Sequence, residues 1–314
     1  MLPSPPDPQP TGVSRREFLR TSAVLLGSAS LLRPVSAAAA PPEPIIDIHQ
    51  HYKYLKRPDD NLLFHQATLG ITTTVLLPGA DDTGNPSSDM ELNAAVLEFV
   101  RAHPKQFYFF ANDRADRPGA LQEMEKYLKL GAIGIGEQKT RMPCDSPHAV
   151  MVAELAQEYD VPVHIHFENG KYNTGIERFP KMLERFPRVK FIGHAQEWWG
   201  NIDKNHNPTT NYPTGKVTPG GLTDRMLSDY PNLWGDLAAG SGNNAFMRDE
   251  DHARWFIEKH QDKLIFGSDC TDRVAHGPIC IGARQIATMR RLAPSKAVER
   301  KLLYENARKL LRIT

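Results

Sequence analysis

The chain has 314 residues, a formal net charge of +1 and 24% charged residues. That balance suits a soluble globular protein and gives neither nucleic acid nor an anionic membrane surface a basic patch to bind. Three cysteines, Cys144, Cys270 and Cys280, allow one bridge at most and include no Cys-x-x-Cys pair, which excludes a disulfide framework.

Residues 1–42 read as leader and linker. Ser14-Arg15-Arg16-Glu17-Phe18-Leu19-Arg20 precedes a weakly apolar run over 21–32 and then small residues over 37–40. A charged region, a short hydrophobic segment and a small-residue stretch in that order make a cleaved signal peptide. Paired arginines before Phe-Leu resemble a twin-arginine export signal, which implies a periplasmic or other extracytoplasmic protein exported in its folded state. The alternative is a basic cluster in a disordered tail. The apolar run is too short to span a bilayer unaided, so no stable membrane anchor is expected.

From residue 43 to 314 the sequence reads as one domain. Apolar strand patterns fall at 45–49, 71–77, 107–111, 132–137, 161–166, 189–194, 233–237 and 264–268. Helical periodicity lies between them, at 91–103, 119–130, 147–159, 175–186, 222–230 and 244–259, and then at 283–292 and 297–311. Eight strand–helix units in this length predict a (β/α)8 TIM barrel. A doubly wound dinucleotide-binding sheet would want Gly-x-Gly-x-x-Gly after the first strand, where His49-Gln50-His51-Tyr52 stands instead. The glycines at 131, 134 and 136 are spaced differently and are read as allowing close packing within the barrel. Two long polar loops, 81–89 and 201–221, interrupt the pattern, the second on the face where barrel chemistry sits.

The first strand carries the sharpest signal. Alternation along Ile45-Ile46-Asp47-Ile48-His49-Gln50-His51 would put Asp47, His49 and His51 on one face. Two imidazoles at a strand end can converge on one metal ion, whereas the plainer reading is a pair of surface histidines beside a turn. Reading only the carboxyl ends of the other strands adds Glu137, His166, His194 and Asp269. Recurrence of such groups at five strand ends is not what random placement gives. His164, one layer below His166, is expected to pack or to support it, and Asp47 to hydrogen-bond below His49. Cys270 reads as an inert buried thiol. Lys53, Arg141 and Arg273 follow strands 1, 4 and 8 and could each bind a substrate carboxylate, although such loop residues are mostly solvated. Trp198 could line the pocket or anchor its loop.

With Asp-Ile-His-Gln-His at its start and Gly-Ser-Asp near its end, the stretch from Ile45 to Leu311 resembles the amidohydrolase superfamily. The closest likeness is to its amidohydrolase-related branch of hydrolases and decarboxylases. The resemblance implies that His49, His51, His166 and Asp269 ligate a metal. It makes His194 either a ligand to a second metal or a catalytic acid–base. Gly136-Glu137 resembles the Gly-Glu pair of metal-dependent deoxyribonucleases in the same superfamily, whose glutamate bridges two ions. The alternative is that Glu137 pairs with Lys139 or Arg141. His and carboxylate donors suit Zn²⁺, Mn²⁺ or Fe²⁺; zinc is put first, and one ion ahead of two. The resulting expectation is a hydrolase in which metal-activated water attacks an amide, ester or lactone carbonyl, with Asp269 as base and His194 assisting. Non-oxidative decarboxylation of an unsaturated or aromatic acid is the alternative, and a binding barrel without catalysis a third reading. The expected partner is a small molecule, with a carboxylate allowed for; self-association is left open.

Overall fold

The computed structural model describes residues 43–79 and 90–313. The expected leader and the loop at 81–89 lie outside the described residues. Eight parallel strands run in chain order: β1 (Ile45–Gln50), β2 (Ile71–Leu76), β3 (Phe107–Phe109), β4 (Ile135–Gln138), β5 (Val163–His166), β6 (Phe191–His194), β7 (Leu233–Asp236) and β8 (Leu264–Ile265). Ladders join β1 to β3 and β4 to β8 in sequence order. A parallel bridge between Ala111 and Ile135 links the two groups. Ile48 N–H donates to Phe266 O at 3.2 Å and Asp269 N–H to His49 O at 2.7 Å, so β8 meets β1. The ring is a TIM-type barrel.

Its hydrophobic residues divide by strand parity, as alternating side chains require. Ile46, Ile48, Val75, Phe110, Ile192, Trp234 and Ile265 fill the interior, closed below by Ala307 and Leu310. Their neighbours Leu76, Phe109, Ile135, Val163, Phe191, Leu233 and Leu264 face outward onto the helix layer. That layer consists of α1 (Asp59–Thr68), α2 (Asn93–Ala102), α3 (Ala120–Lys129), α4 (Pro147–Tyr159), α5 (Pro180–Arg185), α6 (Ala195–Gly200), α7 (Leu222–Asp229), α8 (Ala239–Met247), α9 (Glu250–His260), α10 (Ile281–Leu292), α11 (Lys296–Arg300) and α12 (Asn306–Leu311).

Sequence periodicity gives no sign of α1 or α6. Of the residues α1 buries, Leu62, His65 and Gln66, two are polar, so no apolar stripe marks it. Helix α6 is only six residues long. The helix expected over 244–259 is divided in two, because the Asp249 carboxylate accepts from His252 N–H and starts α9 afresh. None of the described helices is long and apolar enough to cross a membrane.

Asp224 on α7 accepts from Lys259 Nζ and His260 Nε2 on α9, each at 2.7 Å. Burial opposes its charge, but these donors outweigh burial and hold the carboxyl below its ordinary pKa. A depressed carboxyl adds stability that is present above the unfolded value of about 3.9 and is lost as pH falls through the folded one. Asp224→Asn is therefore expected to cost about 1–3 kcal/mol at neutral pH, and the deficit should shrink below about pH 4. Denaturant melts of both proteins across that range check it; a deficit unchanged with pH would refute the ionic origin.

Candidate metal centre

Strand β1 does not alternate to its end. Its pairing with β2 shifts register between Asp47 and Gln50. Ile48 and His49 both turn inward as a result, and His51 follows. Asp47 faces away from them, which corrects the expectation that it lies beneath His49, although its carboxylate does accept from His49 N–H at 3.1 Å. Its carboxylate accepts from Ser268 N–H at 2.8 Å, Ser268 Oγ–H at 2.6 Å and Gln66 Nε2–H of α1 at 3.0 Å. Burial raises the Asp47 pKa against those bonds. The shift thus gives the barrel two adjacent histidines and fastens β8 to β1 behind them.

His51 Nδ1–H donates to Leu77 O at 2.7 Å, leaving a lone pair on Nε2. His49 Nδ1–H donates to Asp236 Oδ2 at 2.7 Å, which leaves Nε2 of the neutral ring in the same condition. The two Nε2 atoms nevertheless stand 3.2 Å apart. Asp269 Oδ1 lies 3.4 Å from His51 Nε2 and 3.9 Å from His49 Nε2. Glu137 Oε2 lies 3.7 Å and 3.8 Å from the same nitrogens. Two lone pairs and two carboxylates facing one another repel unless a cation sits among them. Asp269 Oδ1 is buried and has no hydrogen-bond partner. For metal–ligand bonds of about 2.0–2.1 Å, tetrahedral donors would be spaced roughly 3.3–3.4 Å apart. The residues fit a divalent ion. The pKa of His49 agrees: burial lowers it, but Asp269, Asp236 and Glu137 outweigh burial and raise it to about 10. The same excess of negative charge around the ring favours a cation there.

Beneath these donors lies Asp236, at the end of β7, which the sequence reading passed over. It is fully buried. Oδ2 accepts from His49 and, at 2.9 Å, from His164 Nε2–H, and lies 3.3 Å from His194 Nδ1; Oδ1 accepts from Ala238 N–H at 3.0 Å. Burial alone would raise its pKa, but His49, His164 and His194 hold it far below the ordinary carboxylate range. One carboxylate thereby fixes the ring orientation of His49, as metal-supporting acids commonly do. The same crowding explains Gly267, where a Cβ would lie 2.4 Å from Asp236 Oδ1 and 2.8 Å from His49 Cβ. Gly136 has φ +139°, and a Cβ there would lie 2.6 Å from His164 O, so the residue before Glu137 must be glycine.

His164 and His194 are both buried and neutral. Burial lowers the His164 pKa, while burial and the neighbouring His49 bring that of His194 to about 3. His166 stands between two carboxylates. Its Nδ1 is 2.6 Å from Glu137 Oε1 and its Nε2 is 3.2 Å from Glu168 Oε2. A separation of 2.6 Å is a charge-assisted hydrogen bond. The hydrogen-bond partner of the Glu137 carboxylate is thus His166. Through Glu137 a second donor set, Glu137, His166 and His194, abuts the first.

The rim departs further from expectation. Lys53 turns away to Asp59, 2.5 Å distant. Trp198 is buried and stacked against Phe167, as a residue anchoring its loop would be. Arg273 and Arg141 are exposed, the latter over the Tyr172 ring at 5.5 Å. The cation that reaches the centre is Lys139. It lines a cleft with Glu137, Asn112, Asp113 and Met90. Burial would lower its pKa, but Glu137 and Asp269 outweigh burial and raise it. Tyr54 stands edge-on to His51 at 5.0 Å, and Asp269 and burial keep its phenol protonated. Both residues lie just past strand ends, where the sequence offers several basic and aromatic residues and nothing to single out Lys139 or Tyr54 over Lys53 and Arg141.

The sequence matches the Amidohydrolase family model over residues 46–313. The chain belongs to the amidohydrolase family. In this family metal-dependent hydrolases and decarboxylases share the TIM barrel, so the coarse class expected from the His-x-His and Gly-Ser-Asp stretches stands. Among solved structures, an uncharacterised TIM-barrel protein from Bordetella bronchiseptica is 17% identical with a TM-score of 0.60, covering 86% of this chain and 98% of its own. A putative 2-pyrone-4,6-dicarboxylic acid hydrolase from Pseudomonas putida is 15% identical with a TM-score of 0.56, covering 86% and 97%. A 2,6-dihydroxybenzoate decarboxylase from Rhizobium is 15% identical with a TM-score of 0.54, covering 86% and 98%. At these identities the amidohydrolase likeness extends to the fold alone. A search of curated proteins gave no match.

Proposed function

We propose that this amidohydrolase is a metal-dependent hydrolase of small molecules, opening an amide, ester or lactone with Asp269 as general base. His49, His51, Asp269 and Glu137 would hold one divalent ion, zinc being the first choice for such donors. When bound, the ion supplies Lewis acidity and a water that ionises near neutral pH. The observation that carries the reading is Asp269 Oδ1, a buried oxygen that accepts no hydrogen bond and faces the donors of β1. Burial would raise the pKa of Asp269, but His49 and His51 outweigh it, so the carboxyl is ionised and able to take a proton. Asp236 keeps His49 aligned while Asp269 accepts the proton of the attacking water. The proton taken up by Asp269 would pass to the leaving group, while His194, neutral and 3.8 Å from Glu137 Oε1, would donate an N–H hydrogen bond to the oxyanion.

Lys139 supports a second reading. Its ammonium has no ion pair within 4 Å among the described residues and faces the cleft, where it could hold a substrate carboxylate. Carboxylates are substrates for decarboxylation as well as for hydrolysis. A panel of esters, lactones, amides and unsaturated or aromatic acids, run with and without chelator and with CO₂ detection, separates the two. Chelator-sensitive turnover without CO₂ supports hydrolysis, CO₂ release from an acid supports the second reading, and turnover indifferent to metal removes both.

Export by the twin-arginine route is proposed from Arg15 and Arg16 and the residues that follow them. Replacing both arginines with lysine should leave an uncleaved precursor in the cytoplasm, seen by fractionation and mass. Normal processing of that variant would overturn the assignment.

A further inference from the structure

We propose that His65, Cys270 and Cys280 supply three ligands of a second metal site for a thiolate-seeking cation of the zinc type, separate from the barrel centre. All three side chains are buried. Cys280 Sγ lies 3.7 Å from Cys270 Sγ and 3.4 Å from His65 Nε2, and the three donor atoms lie within 4.8 Å of one another. Zinc–sulfur bonds of about 2.3 Å and zinc–nitrogen bonds of about 2.0–2.1 Å, at tetrahedral angles, would space sulfur from sulfur by roughly 3.7–3.8 Å and sulfur from nitrogen by roughly 3.5–3.6 Å. The contacts are close to those spacings, and far from the S–S bond of about 2.05 Å that a disulfide needs.

Each donor also presents the correct face. Gln66 Nε2–H donates to Asp47 Oδ2 at 3.0 Å and to Thr74 Oγ1 at 2.8 Å, which fixes its amide so that Oε1 points at His65 Nδ1, 2.9 Å away. His65 Nδ1 therefore carries the hydrogen, and Nε2 offers its lone pair to the sulfurs. Cys280 Sγ accepts from Ala283 N–H at 3.3 Å in the first turn of the twelve-residue α10. The guanidinium of Arg57, also buried, donates to Cys270 O at 2.8 Å, placing a positive charge beside the second thiol. Soft sulfur donors with one imidazole select zinc-type ions over the hard cations that oxygen ligands prefer.

The three residues come from α1, from the position next to Asp269, and from the start of α10. A metal there would fasten the mostly exposed 271–279 loop to the barrel and steady the strand end carrying Asp269. The test is cobalt titration of the reduced, metal-free full-length protein. Cobalt at the barrel centre meets only nitrogen and oxygen, so a thiolate-to-cobalt charge-transfer band reports this site alone. The wild type should show that band and bind one equivalent of cobalt more than Cys280→Ser, which should lack the band while still binding the barrel-centre metal. No band in reduced wild type whose Cys270 and Cys280 thiols are free would overturn the proposal and leave a chain of S–H hydrogen bonds. A mass two hydrogens lower before reduction, with reduced protein that binds no cobalt through sulfur, would also overturn it, in favour of a disulfide.

Discussion

Asp269→Asn is expected to lower kcat by about 10²–10⁴-fold, the range found when a general acid or base is lost. The asparagine keeps the size of the side chain and one carbonyl oxygen, but it cannot accept a proton. The backbone should hold it, because Asp269 already sits at φ 45°, a left-handed conformation that asparagine also tolerates, and its N–H still reaches His49 O. Metal content should therefore fall less than turnover. Steady-state kinetics and metal analysis of one preparation separate the two effects. A kcat close to wild type would remove Asp269 as the base, and turnover that falls only as far as bound metal falls, and returns when metal is restored, would make it a ligand alone.

Asp236→Asn should weaken metal binding or activity by about 10–100-fold, although the residue touches neither ion nor substrate. Its carboxylate collects N–H donors from His49, His164 and Ala238, and His194 lies beside it. Amide replacement removes the negative charge that aligns His49 and turns one end of the group into a donor facing other donors. His49 should then lose its fixed tautomer, and its pKa should fall, because Asp236 is among the charges that raise it. Competition with a chelator of known strength measures the affinity, and a denaturant melt shows whether the barrel persists. An affinity within twofold of wild type would mean that the imidazole is held by packing instead.

Much of this was legible in the chain itself. Strand runs were plain because apolar β-branched and aromatic residues cluster there, and the barrel follows from eight of them with helices between. His49, His51 and Asp269 could be found because strand ends are where a barrel gathers chemistry. Asp236 obeys the same rule but falls inside the strand expected over 233–237, one residue short of its end, so reading only the last residue of each strand misses it. The register shift in β1 leaves no mark in an alternating sequence, so Asp47 was put on the wrong face. Helix α1 was hidden for a related reason: its buried side carries His65 and Gln66, which hold β1 and the sulfur cluster in place of a greasy stripe. Polar residues that satisfy one another inside a fold look like surface until their partners are known.

The claim on which the account rests is that β1 and β8 together hold a divalent ion. Metal analysis of the purified protein in a Cys280→Ser background, with and without His51→Ala, tests it most directly, since any metal counted then comes from the barrel centre. The account predicts about one equivalent per chain, lost along with activity when His51 is replaced while the protein stays folded. No metal in the parent after reconstitution with zinc, manganese or iron, or an equivalent that survives His51→Ala with activity intact, would contradict it.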